Sequence, residues 1–257
     1  MDEALFLSGL LAAGIRLATP IALAAIGERV LIIDLDPQGN ASTGLGIDRK
    51  DRDLSSYDVL VGNVSVVEAA MKTAVPQLSV VASTMDLLGV EMEIAGAPDR
   101  ALRLRKALHG PKSISGDYSY VLIDCPPSLN LLTVNAMVAS HSVLVPLQSE
   151  FFALEGLSQL MLTIREVRQS ANPNLKIEGV VLTMFDNRNN LSQQVEADAR
   201  DNLGDLVFAT KIPRNVRVSE APSYAMPVLD FDPASKGAKA YRDLAQEFLK
   251  NNEMAEA

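Results

Sequence analysis

The sequence predicts an α/β fold, a mostly parallel sheet with helices on both faces. Three observations predict it. Short apolar, β-branched runs recur along the chain and alternate with longer segments of helical period. The runs are apolar at successive positions, as in strands buried on both faces. Two of them carry aspartates at their ends, where a parallel sheet places ligands beyond its carboxyl edge.

Residues 30–36, Val-Leu-Ile-Ile-Asp-Leu-Asp, read as a strand closed by Pro37. Residues 78–82 form a second, and 120–125 a third, stopped by Pro126 and Pro127. Further strands are expected at 142–146, 177–182 and 206–209. Helical periodicity covers 86–95, 99–108, 129–139, 154–170, 190–202 and 235–250.

The 257 residues, 48% hydrophobic and 21% charged, suit one large domain better than two. Cys125 is the single cysteine, so no internal disulfide is available. His109 and His141 lie far apart in sequence, and no Cys/His cluster suggests zinc. A reducing, cytoplasmic setting fits. The net charge of −9 excludes a generally basic, nucleic-acid-coating surface. Any DNA contact must come from a local patch, or from patches joined in a dimer.

Residues 4–27 carry one charged side chain, Arg16, and are interrupted by Pro20. A run of that length is a membrane-span candidate. Arg16 near its middle would cost about 2.5–3.5 kcal/mol at a bilayer centre. Asp2 and Glu3 stand where a secretion signal needs positive charge. Two readings follow, an apolar helix buried on the domain or a membrane contact through residues 4–27.

A nucleoside-triphosphate switch needs a phosphate cradle with a lysine, a carboxylate for Mg²⁺, a group that orients water, and a grip on the base. Tyr120-Val-Leu-Ile-Asp124 has the Walker B pattern of an apolar strand ending in Asp. Asp34 and Asp36 stand two apart, which on a strand places them on one face, toward a metal-bound phosphate and a water. Each segment alone also fits a plain turn, the latter an Asp-Pro turn closed by Gly39.

Taken together, the segments resemble the deviant-Walker ATPases of the ParA/MinD group, most closely the ParA (Soj-like) partition branch. Asp34-Leu-Asp36-Pro-Gln-Gly-Asn40-Ala-Ser-Thr43 is similar to the second signature of that family, and Asp124-Cys-Pro-Pro-Ser128 to its Walker B segment. Further likeness lies in residues 148–156, 183–186 and 212–223, and the whole resemblance covers about 22–249. It implies ATP and Mg²⁺ as cofactors. Asp36 would position the attacking water, Asp34 would support the Mg²⁺ and phosphate side, and Asp124 would hold Mg²⁺ through water. Pro213 to Asn215 would border the adenine, while Arg188 and Arg217 match DNA-contacting positions of the ATP-bound dimer. Arg214 reads as a solvated surface charge, and Cys125 as a small buried residue.

The family opens with a strand and a Lys-Gly-Gly-x-Gly-Lys-Thr-Thr loop. Here no lysine precedes Lys50, and neither Gly9 nor Gly14 lies in a Gly-x-x-x-x-Gly-Lys arrangement. The first strand and loop are therefore expected to be missing or replaced, leaving neighbouring strand edges unpaired. Pro20 sits where a helix should run. Residues 3–28 resemble instead the first membrane segment of nucleoside/sugar transporter permeases, as in a permease-like start fused to a ParA body. This divides the chain into an atypical segment, 1–20, and a nucleotide-switch domain, 21–257. Loss of one preorganised donor commonly costs ~10²–10³ in rate, so weak or absent ATP binding and hydrolysis is expected.

The resemblance implies a chromosome- or plasmid-partitioning ATPase, cytoplasmic and nucleoid-associated. Its partners would be a ParB-type centromere-binding protein, non-specific nucleoid DNA and a second copy of itself in an ATP-dependent homodimer. One alternative is a non-catalytic protein that pairs with full-length ParA or is tethered to a membrane. Another is a MinD-like positioning ATPase, but the acidic tail Glu247 to Ala257 lacks the basic amphipathic helix of that group. An iron-protein relative would need more cysteines.

Overall fold

The computed structural model describes residues 3–7, 13–110, 114, 116–150 and 153–256. Its strands are β1 (Glu3–Leu7), β2 (Val30–Asp34), β3 (Ala70–Lys72), β4 (Leu78–Val81), β5 (Tyr120–Asp124), β6 (Ser142–Gln148) and β7 (Lys176–Thr183). They form one seven-stranded sheet in the order β3-β4-β2-β5-β1-β6-β7. Only the edge strand β3 runs antiparallel to its neighbour. The helices are α1 (Ala13–Ala25), α2 (Asn40–Gly44), α3 (Ser56–Val61), α4 (Val66–Ala69), α5 (Val90–Glu93), α6 (Arg103–His109), α7 (Leu131–Ala139), α8 (Ala153–Ser170), α9 (Asn190–Leu203), α10 (Val216–Glu220), α11 (Val228–Phe231) and α12 (Lys236–Glu256).

The α/β expectation holds, and the side-chain alternation of the strands explains it. In β2, Leu31 and Ile33 join a core shared with α3, α6, α7 and α8, while Val30 and Ile32 join a second core shared with α1 and α12. Val121 and Ile123 of β5 face the first core and Leu122 the second. Successive residues of a strand point to opposite faces. A strand apolar at every position therefore needs helices on both sides. The long helix α12 buries Ala238, Tyr241, Leu244, Ala245 and Phe248, a stripe at helical spacing against the second core. Phe248 meets Tyr120 edge-on, with ring centroids 5.6 Å apart.

The strand expected to be missing is present. Glu3–Leu7 lies between β5 and β6 and is parallel to both, with Leu7 paired to Asp124 and to Leu144. The expectation of unpaired inner edges therefore fails. A five-residue stretch, apolar after Glu3, pairs with the backbone of β5 along its length and with the start of β6, whatever its sequence ancestry. The chain then enters α1, which runs through Pro20. Proline removes one helical hydrogen bond, and packing of the following turn offsets the loss. Residues 18–24 are buried, Ala22 and Leu23 completely. The expected boundary between residues 20 and 21 falls inside this helix. Among the described residues no helix is long and apolar enough to cross a membrane. Residues 3–7 pair within the sheet, and residues 18–24 include members of the second core.

Other expectations shift. Residues 206–209 make an isolated bridge, Val207 with Val180, instead of a strand. The expected helix 86–95 divides into a 3-10 turn, Met85–Leu88, and α5, with Gly89 at the junction. Glycine in a helix interior lacks side-chain packing and favours such a break. The short helices α2, α3, α4, α10 and α11 and the edge strand β3 were not anticipated.

Candidate functional site

Asp34 and Asp124 are the last residues of β2 and β5 and are direct register partners. Leu7, the last residue of β1, stands on the other side of Asp124. Three parallel strands thus end abreast, with two carboxylates in adjacent positions. The chain leaving β1 turns into α1. A parallel strand followed by a helix is the order in which phosphate-binding sites at helix N-termini are built. Residues 8–12, where the sequence lacks the expected lysine pattern, lie outside the described residues.

Asp34 is fully buried, and its carboxylate is engaged within the chain. One oxygen accepts the Asp36 N–H at 3.1 Å. The other accepts the Ser42 N–H at 2.9 Å and the Ser42 hydroxyl at 2.7 Å. Its main-chain carbonyl accepts the Ser56 hydroxyl at 2.6 Å. Burial pushes the acid up to about 6 from an ordinary 3.8, although the Ser42 bonds pull it back. Asp34 is therefore a clamp that fastens the loop and α2 to the end of β2.

Asp36 lies outside β2, which ends at Asp34. The alternation of a strand therefore does not set its direction, contrary to the shared-face expectation. A folded-back turn sets it instead. The Asp36 carboxylate accepts the Gln38 N–H at 3.0 Å, and its carbonyl accepts the Gly39 N–H at 2.8 Å and the Ser83 hydroxyl. Gly39 closes this turn at φ +64°, a left-handed conformation that costs a side chain about 1–2 kcal/mol. Asp36 is held in a fixed place beside the carboxyl edge of the sheet.

Asp124 is also buried, and its main-chain carbonyl accepts the Leu35 N–H at 2.7 Å. Among the described residues no three carboxylate, histidine or cysteine side chains converge into a direct metal cage. The carboxylate side of the site fits a Mg²⁺–nucleotide. No lysine precedes Lys50 in the sequence to complete the cation side.

Pro213 reaches the same edge of the sheet. It bridges to Phe185, just beyond the end of β7, and the Arg214 N–H donates to the Phe185 carbonyl at 3.1 Å. Asn215 caps α10 by accepting the Arg217 N–H at 2.9 Å. The expected adenine border therefore has its conformation fixed by the chain itself. Arg214 lies 3.9 Å from Glu150 and is mostly exposed.

The two expected DNA-contacting arginines are exposed and bonded to acids. Arg188 grips Asp186 through Nε at 3.1 Å and Nη2 at 3.0 Å, which holds the Asp186 carboxyl down at about 2. Arg217 bonds Glu220 at 2.9 Å and Asp232 at 3.3 Å. Cys125 is buried, as a small apolar residue beside Pro126 would be.

Sequence reasoning missed Ser42, Ser56, Ser83 and Arg52, the residues that fix the Asp36 loop. Ser42 could have been found, since it lies within the signature quoted for Asp34. Ser83 and Arg52 come from other segments and carry no local signal.

A family model described as AAA domain matches residues 13–177. The chain is 59% identical over 228 residues to the chromosome partitioning protein ParA of Caulobacter vibrioides (strain NA1000 / CB15N), covering 89% of this chain and 85% of that one. It is 49% identical over 229 residues to the sporulation initiation inhibitor protein Soj of Bacillus subtilis (strain 168), covering 89% of each. Among solved structures, cobyrinic acid a,c-diamide synthase from Mycobacterium smegmatis with bound ADP and magnesium superposes with a TM-score of 0.84. That match has 34% identity and covers 98% of this chain and 96% of that one. A core of paired strand-end aspartates, a folded-back Asp36 turn and this degree of identity lead to one assignment: the chain belongs to the ParA/Soj family of chromosome-partitioning proteins.

Proposed function

We propose that this chain acts in DNA partitioning through a nucleotide site at the carboxyl ends of β1, β2 and β5. The observation that carries the reading is the side-by-side placement of Asp34 and Asp124 with the Asp36 turn fixed beside them. Asp124 would hold Mg²⁺ through water, Asp36 would orient the attacking water, and Pro213 and Asn215 would border the base. Asp34 acts from behind, as the clamp of the loop. The relative with bound ADP and magnesium supports nucleotide and Mg²⁺ as the ligands. ParB-type proteins, nucleoid DNA and a second copy are the partners, with Arg188 and Arg217 on the DNA side. The protein works in the cytoplasm, on the nucleoid.

The lysine-free start lowers the affinity of this site. Phosphate charge is normally met by a lysine and a cradle of N–H groups, and each preorganised donor is worth ~10²–10³ in rate. Nucleotide binding by the purified chain, set beside a version with the Lys-Gly-Gly-x-Gly-Lys-Thr-Thr loop restored, tests both parts. Weak or no binding by the first and clear Mg²⁺-dependent binding by the second are expected. Family-like ATP turnover by the unaltered chain, with DNA and ParB present, would refute the impairment. No binding by the restored version would refute the site.

The same lack of lysine favours a second reading, a non-catalytic subunit that pairs with full-length ParA. Co-purification with full-length ParA at a defined stoichiometry supports it, and separate elution overturns it.

A further inference from the structure

We propose that Arg52 is a positioning residue for the Asp36 turn, acting on the site through hydrogen bonds without touching nucleotide. This rests on the nucleotide-site reading above.

Arg52 is 7% exposed, although it carries a full charge. Its guanidinium spans three segments. Nη1 donates to the Ser83 carbonyl at 2.9 Å. Nη2 donates to the Thr43 hydroxyl and the Ile47 carbonyl, both at 2.8 Å. Nε reaches the same Ile47 carbonyl at 3.3 Å. These acceptors are neutral, so hydrogen bonds hold the guanidinium in place, with the Asp34 and Asp48 charges adding electrostatic support. A planar fork of five donors can join three segments in this way, whereas a lysine point charge cannot.

Ser83, just past the end of β4, carries the restraint inward. Its hydroxyl donates to the Asp36 carbonyl, and its N–H donates to the Ser42 hydroxyl at 3.1 Å. Ser42 in turn donates to Asp34. Arg52, Ser83, Ser42, Asp34 and Asp36 thus form one connected network. Arg52 also covers the turn from outside, since a Cβ built on Gly39 would stand 2.3 Å from Nη1. The turn carrying Asp36 is tied to β4 on one side and closed by the guanidinium on the other.

Hydrogen exchange on the full chain, resolved by segment, provides the test. Arg52→Met removes the fork and keeps most of the apolar stem. Amides of 38–47 are expected to exchange at least tenfold faster, with those of β6 and β7 within twofold of the unaltered chain. Arg52→Lys is expected to restore less than half of the lost protection on a logarithmic scale. Unchanged exchange in 38–47, an equal rise throughout the sheet, or full rescue by lysine would overturn the proposal. Arg52→Gln, which shortens the side chain and removes the guanidinium fork while leaving the Thr43 hydroxyl on the Gly39 carbonyl, gives the same readout if Arg52→Met does not fold, with faster exchange expected in 38–47 alone. In the version with the restored loop, Arg52→Met should lower kcat at least tenfold and leave KM within twofold. A raised KM with unchanged kcat would refute the positioning role. Failure of that restored version to bind nucleotide would count against the nucleotide site, while the exchange pattern still decides the structural link.

Discussion

Asp34→Asn should reverse its effect on stability between acid and mildly alkaline conditions. In the folded chain Asp34 loses its proton near pH 6, whereas an unfolded aspartate does so near 3.8. Between these values the folded state holds a proton that the unfolded state has lost, so stability falls as pH rises. At about 1.4 kcal/mol per pH unit, the gap amounts to ~3 kcal/mol once both forms are ionised. About 2 kcal/mol of this develops between roughly pH 4.5 and pH 8. Asparagine carries no such charge. Its amide must, however, turn an NH₂ toward the Asp36 N–H or toward Ser42, which loses about 1–2 kcal/mol at any pH. The variant should thus be the less stable protein near pH 4.5 and equal or more stable near pH 8. Urea unfolding followed by circular dichroism, with both proteins in the same buffers, measures the difference. A difference that stays flat, or that moves against the variant as pH rises, would refute the account of a carboxylate held at a cost for its role in the loop.

Three further outcomes follow from local geometry. Gly39→Ala places a Cβ at φ +64° and 2.3 Å from Arg52 Nη1, so a loss of about 2–4 kcal/mol is expected in the same unfolding assay. Tyr241→Phe should raise stability by about 1 kcal/mol, because the phenol hydroxyl is fully buried with no hydrogen-bond partner among the described residues. A clear loss would mean that the hydroxyl is satisfied. Glu220→Gln frees Arg217 from one acid, so DNA affinity measured at low salt should rise severalfold, while Arg217→Ala should lower it and reduce the salt slope by about 1. No change in either variant removes Arg217 from the DNA face.

Much of the fold and part of the site could be read in the chain before any packing was known. The cores of β2 and β5 were legible because each is apolar throughout and ends in an acid before a proline turn, a pattern that only a strand covered on both faces explains. The same acids identified the site, since a parallel sheet binds ligands at that edge. The Asp34 and Asp36 pair was read as two members of one face. The structure separates their roles, since the strand stops at Asp34 and the turn, not the pleat, directs Asp36.

The start of the chain was the least legible region. A run apolar at nearly every position fits a strand, a buried helix and a membrane segment equally well, because periodicity carries little information where polar positions are so few. Glu3–Leu7 becomes a strand because β5 and β6 offer it open backbone partners on both sides. Nothing within its own five residues states this. The sequence by itself determined the fold class, the family and the strand-end aspartates, all of which depend on local pattern. It also shows that no lysine precedes Lys50. Tertiary structure alone decided that the first strand exists and that Arg52 and Ser83 fix the loop. These depend on contacts between residues distant in sequence, where neither partner carries a local mark of the other.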